Sequence, residues 1–149
     1  MIQLVPIVIS FFLAFCLSFL SIIPQASADG LISHAPADAE AYIITPTDGD
    51  SVAQTFTVKF GLSGMGIAPA GVERENTGHH HLLVDLADSP DLTASLPAND
   101  RIRHFGGGQT ETQLTLPPGE HTLQLLLGNY VHVPHDNPVM SKKITISVK

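Results

Sequence analysis

The sequence predicts an all-β protein: an antiparallel, immunoglobulin-like β-sandwich of about seven strands, preceded by an N-terminal apolar signal or anchor helix. Three observations lead there. Short runs alternate apolar and polar residues with a period of two. Turns built from Pro, Gly, Asp and Asn separate them at regular spacing. No stretch of the domain itself carries a long apolar stripe at helical spacing.

Residues 1–28 stand apart from the rest of the 149. Ile2 to Ile23 is almost wholly apolar, and Ala26-Ser27-Ala28 fits the small-residue rule for signal cleavage before Asp29. The expected location is therefore periplasmic or secreted. No Lys or Arg precedes the apolar run, and its length approaches a bilayer span, so an uncleaved membrane anchor is the alternative. Phe15 is too bulky to precede a lipid-modified Cys16, which excludes a lipoprotein. Residues 29–40 are small, polar and Ala-rich and read as a linker. Residues 41–149 suit one domain with one modest core.

Ala41-Tyr42-Ile43-Ile44 is the first strand, closed by Pro46 and Asp48-Gly49. Thr55 to Phe60 places Phe56, Val58 and Phe60 on one face and Thr55, Thr57 and Lys59 on the other. Residues 61–77, rich in glycine, read as a loop. His79 to Leu86 is the next strand, and a long polar connection runs to Arg103. Thr110 to Leu116 alternates again, with Leu114 and Leu116 inward, and Pro117-Pro118-Gly119 turns the chain. His121, Leu123, Leu125 and Leu127 share one face of the following strand. Residues 129–138 form a loop, and Met140 to Val148 closes the sheet with Ile144, Ile146 and Val148 in register. There is no internal repeat.

Fourteen acidic against seven basic side chains, a formal charge of −7, exclude nucleic acid and anionic lipid as partners. Any membrane contact would come through residues 1–28. The lone cysteine, Cys16, lies in that leader, so the exported domain has neither a disulfide nor a thiolate metal site.

The segments Ala41-Tyr42-Ile43-Ile44-Thr45-Pro46, Val58 to Gly66, Asn76-Thr77-Gly78-His79-His80-His81-Leu82-Leu83-Val84-Asp85, His104-Phe105-Gly106-Gly107-Gly108-Gln109-Thr110-Glu111 and Pro117 to Leu125 are similar to a family of exported bacterial domains of unknown function, DUF4399. The resemblance runs over about residues 41–149. It implies an exported β-sandwich and no particular activity. More distantly, the chain looks like exported immunoglobulin-like domains with a Gly-His-x-His strand, a Gly-x-His turn and a late Asn-x-x-His-x-Pro. Those features would fall on His79 and His81, on His121, and on His132.

Histidine is the chemistry-bearing residue. Of eight histidines, all but His34 lie between His79 and His135. Strand alternation puts His79 and His81 on one side with Leu83 and Asp85, and His80 on the other with Leu82 and Val84. A same-face pair roughly 6–7 Å apart at the backbone can chelate a metal if further ligands converge on it. His132 and His135 sit on a loop stiffened by Pro134 and Pro138, and His104 opens the segment before Gly106-Gly107-Gly108. The expected ligands are His79, His81 and His132, with His104 or His135 completing the shell. His80 and His121 read as core histidines, and His34 as a solvated one.

Imidazoles without thiolate suit a copper or zinc ion, copper ahead of zinc; calcium and magnesium need an oxygen cage. Met65 is either a weak axial ligand or a cover for the core edge. Asp85 either orients a histidine or is a solvated strand-end acid. The glycine run opens no helix, so it reads as a bend or a close backbone approach rather than a phosphate cradle. No nucleophile-elbow motif is present, and nothing selects Glu73, Glu75 or Glu111 as a base beside a metal-bound water. The expected function is non-enzymatic: binding, delivery or buffering of a transition metal. The alternative is a sandwich that recognises another envelope protein or a glycan. Its histidines would form a hydrogen-bond network fixing the 61–77 and 86–103 loops.

Overall fold

Alternating burial sorts the chain into two layers. The computed structural model describes residues 31–149, and the leader assigned to residues 1–28 lies outside them. Among the described residues the protein is all-β, with nine strands: β1 (Glu40–Thr45), β2 (Ser51–Val52), β3 (Thr55–Ser63), β4 (Gly66–Ile67), β5 (Thr77–Val84), β6 (Ile102–His104), β7 (Glu111–Thr115), β8 (Gly119–Gly128) and β9 (Ile144–Val148). No helix among them is long and apolar enough to cross a membrane.

One sheet has the order β1-β3-β7. The other runs β2-β9-β8-β5-β4, with β6 also paired to β5. Phe56, Val58, Phe60 and Leu114 from the first meet Leu82, Val84, Leu123, Leu125, Leu127, Ile146 and Val148 from the second in one apolar cluster. The rows expected to point inward do so. Met65 packs against this cluster as a filler of the core edge.

The larger sheet is mixed, not purely antiparallel. β2 pairs with β9, and β4 with β5, in parallel. Both parallel pieces are two residues long and lie inside stretches that read as loop or turn. Ala68 N donates to Gly78 O at 2.9 Å, carrying the β4 ladder one step further. The closing strand is also shorter than expected and begins at Ile144. Upstream of it the Ser141 hydroxyl accepts a hydrogen bond from Leu125 N at 2.8 Å, a place that a strand carbonyl would take.

Residues 31–36 lie along the domain. Ala35 is buried in the main core. Its N–H donates to Asp136 Oδ1 at 3.1 Å, and Asp136 N donates to Ser33 O at 3.0 Å. His34, expected to be free in solvent, bonds Asp136 Oδ2 through Nδ1 at 2.9 Å. That bond, with the backbone bond from Ala35 beside it, holds the Asp136 carboxyl down at about 2.

The strand that matters most is β5. Along one edge it pairs with β8; along the other, β4 takes its start and β6 its end. Its Leu82 and Val84 enter the main core. Leu83, on the opposite face, joins Leu96, Ile102 and Leu126 in a second cluster beneath the connection from β5 to β6. Both faces of β5 are therefore covered, and all three consecutive histidines are fully buried.

Leu125 is fully buried in the main core, so Leu125→Ala should cost about 2–5 kcal/mol. Ile44 is 52% exposed on the outer face of β1, and Ile44→Ala should stay within about 0.5 kcal/mol of wild type. Urea unfolding midpoints at constant slope test both.

Candidate metal centre

Strand β5 supplies the base of the site. His79 and His81 project from the face that carries Leu83, and their ring centroids lie 4.9 Å apart. The antiparallel register of β5 with β6 sets His104 directly opposite His81. Opposite residues on neighbouring strands bring side chains together, and the two rings stack at 5.1 Å. His104 also stands 5.0 Å from His79. His79, His81 and His104 each offer a ring nitrogen, and the three nitrogens lie within 4.8 Å of one another. Four nitrogens around a tetrahedral ion would stand about 3.3 Å apart, so a shared closure of about 1.5 Å gathers the three from 4.8 Å.

The His132 ring joins these three from another part of the chain, although its nitrogens are not among those within 4.8 Å of one another. After β8 the backbone turns at Asn129 and comes back, and Gly128 and Pro134 form a bridge. The return sets the His132 ring 4.6 Å from His104, 5.1 Å from His79 and 6.0 Å from His81. His135 goes elsewhere: it is buried, and its Nε2 donates to Thr77 O at 3.3 Å.

Two glycines make room for these rings. A Cβ on Gly128 would come within 2.7 Å of His81 Cε1 and 3.3 Å of His132 Cα. A Cβ on Gly106 would run into the His104 ring. The glycine run after His104 is thus a close approach, as expected. Gly128 was not singled out by the sequence, whereas Asn129 is the Asn of the late Asn-x-x-His-x-Pro pattern, without a role of its own there. The available signal was a glycine ending an otherwise bulky strand, followed by a turn-forming Asn.

The electrostatics favour neutral rings. Neither nitrogen of His79, His80 or His81 has a hydrogen-bond partner in the protein. Burial lowers the His79 pKa to about 4, with further repulsion from His132 and His104. Burial alone takes His80 to about 4. Burial and the charges of His79 and His104 take His81 to about 3. His104 and His135 are also lowered, chiefly by burial. At neutral pH these imidazoles carry free lone pairs, the form that binds metal. A network of histidine hydrogen bonds is not what holds the three rings of β5.

His80 faces the main core, its ring T-shaped to that of Phe60 at 5.2 Å between centroids. The Asp85 carboxylate does orient a histidine, but that residue is His121. His121 Nδ1 donates to Asp85 Oδ2 at 2.7 Å and Nε2 to Pro117 O at 2.9 Å. Two acceptors require both nitrogens to be protonated. Burial disfavours that cation, but the Asp85 bond and the Pro117 carbonyl outweigh it and raise the pKa above its ordinary value. Glu73 and Glu75 are exposed, and Glu111 reaches Lys59 across the smaller sheet at 3.7 Å.

These features define an all-β domain with a histidine-lined centre on the outer face of its larger sheet. The family model described as "Domain of unknown function (DUF4399)" matches residues 58–149, and the chain belongs to that family. No curated protein matches the chain. Among solved structures it is similar to the endo-beta-1,4-mannanase from Thermotoga petrophila, at 22% identity and a TM-score of 0.43. That match covers 75% of this chain and 20% of the mannanase, so the chain spans about a fifth of that protein's length.

The lowered histidine pKa values make the metal-free domain acid-sensitive. His79, His80 and His81 bind protons near pH 6.5 when unfolded but only near 3–4 when folded. The unfolded state therefore takes up more protons between those values, and stability falls as pH drops from 6.5. His80 alone should account for a loss on the order of 3 kcal/mol by pH 4. His121 shifts the other way, so its contribution is already complete below pH 6.5 and adds no slope there. Urea unfolding of metal-free protein from pH 7 to pH 4 should show this decline, and His80→Leu should flatten it by about one proton.

Proposed function

We propose that this protein is an exported, immunoglobulin-like β-sandwich that binds a transition metal, copper ahead of zinc, and holds or delivers it in the periplasm without catalysis. One observation carries the reading. Three ring nitrogens, from His79, His81 and His104, lie within 4.8 Å of one another, and both nitrogens of His79 and of His81 are buried without a hydrogen-bond partner. Buried polar atoms normally find partners, and a metal ion would satisfy one lone pair on each ring. His132 is the fourth ligand on this reading, and His135 lies outside the shell.

The donor set supports the choice of metal. Imidazole suits copper and zinc, and copper(II) stands above zinc in the general order of affinity. The three clustered residues include no carboxylate, which disfavours calcium and magnesium. Four imidazoles would close a tetrahedral shell, or fill the plane of a square-planar one and leave only weak axial positions, which favours binding over catalysis. Apolar-leader chemistry at residues 1–28 supports export.

Untagged, metal-free protein titrated calorimetrically with Cu(II) and Zn(II) should bind one ion with Kd below about 10 μM, copper the tighter. His79→Ala combined with His81→Ala should weaken binding at least about a hundredfold, and His34→Ala should leave it unchanged. At free metal a hundredfold above Kd the folded state should gain about 2.7 kcal/mol, reversed by a chelator. Binding no tighter than about 10 μM for either ion overturns the reading.

A further inference from the structure

His132 differs from the other three histidines of the centre. They stand on β5 and β6, where sheet pairing fixes the backbone. His132 stands on a loop, with φ at +69°, in the left-handed region that L side chains rarely adopt. A residue persists there only when its surroundings over-determine the backbone. The question is which residue does so.

The bonds converge on Asn129. Its side chain is buried, with 1% of the residue exposed. Oδ1 accepts from Val131 N and from Val133 N, both at 3.0 Å, clasping the residues on either side of His132. Its carbonyl accepts from His132 N at 2.9 Å, and its own N–H donates to Val133 O at 2.9 Å. Nδ2 donates outward, to Leu31 O at 2.6 Å and Ser33 Oγ at 3.0 Å, which anchors the amide plane. The long β5–β6 connection adds two bonds: Leu96 N donates to His132 O, and Ser95 Oγ to Val131 O, each at 3.0 Å. Both main-chain bonds around Asn129 survive any side chain, whereas the two Oδ1 bonds depend on the amide.

We propose that Asn129 is the positioning residue of the metal centre, holding His132 in its left-handed conformation as the fourth ligand. This rests on the metal reading above. Asn129 touches no ion itself and acts through the loop. Removing Oδ1 frees Val131 N and Val133 N, lets His132 leave the left-handed region, and leaves His79, His81 and His104 as a three-nitrogen set.

Cu(II) electron paramagnetic resonance on the full chain tests this by counting coupled nitrogens. Wild type should show four; Asn129→Ala should show three, match the spectrum of His132→Ala, and bind copper about 10–100-fold more weakly. Adding Asn129→Ala to His132→Ala should weaken binding no further, because both remove one ligand. In Asn129→Asp the buried carboxyl, held neutral against the Leu31 carbonyl, keeps one oxygen to accept from Val131 N and Val133 N and one O–H to donate to Leu31 O, so the four-nitrogen spectrum should return even if the alanine variant folds poorly. A four-nitrogen spectrum in Asn129→Ala, whatever its melting temperature, overturns the proposal, as does a three-nitrogen spectrum in Asn129→Asp. Wild-type protein that binds no copper overturns the metal reading instead, and this one with it.

Discussion

Burial of β5 on both faces is the constraint from which the rest follows. A strand covered on both sides normally carries apolar residues throughout. Here three positions in succession are histidine, and none is exposed. Six ring nitrogens are withdrawn from water without hydrogen bonds in return. Burying an unsatisfied polar group costs about 1–3 kcal/mol by mutational measures, a large fraction of a small domain's stability. The sequence therefore spends stability on this strand, and the large apolar core formed by the two sheets offsets it.

The two faces of β5 meet that cost differently. On the core side, His80 packs T-shaped against Phe60, an aromatic contact that leaves both ring nitrogens without a hydrogen bond. On the outer side, His79 and His81 sit among other imidazoles. Neutral rings crowd together there because protonation would set like charges beside one another out of water. A site of that kind disfavours protons and could hold a Lewis acid. Metal binding would then be coupled to folding, since no such gathering of ligands exists in the unfolded chain.

Much of the core was legible in the sequence. Phe56, Val58 and Phe60, or Leu123, Leu125 and Leu127, declare their face through alternation alone. What was not legible lies at sheet edges and in returns of the chain. β4 is two residues within a glycine-rich stretch, and only its parallel neighbour β5 makes it a strand. Residues 31–36 read as a linker by composition. They lie along the domain because Asn129 and Asp136, about a hundred residues away, supply hydrogen bonds for them. Local propensity has no access to such contacts.

The candidate site divides along the same line. By itself the sequence determined that His79 and His81 share a face and that His80 does not, because side-chain alternation is a property of one strand. It left His104 and His135 as equal alternatives. Only the tertiary structure decided between them: the register of β5 with β6 sets His104 opposite His81, while His135 is drawn to the Thr77 carbonyl. It also brought His132 back over the pair, through a turn clasped by Asn129 and past a glycine that leaves room for it. Register and loop return depend on pairing between segments far apart in the chain, and no local pattern encodes which partner will be met.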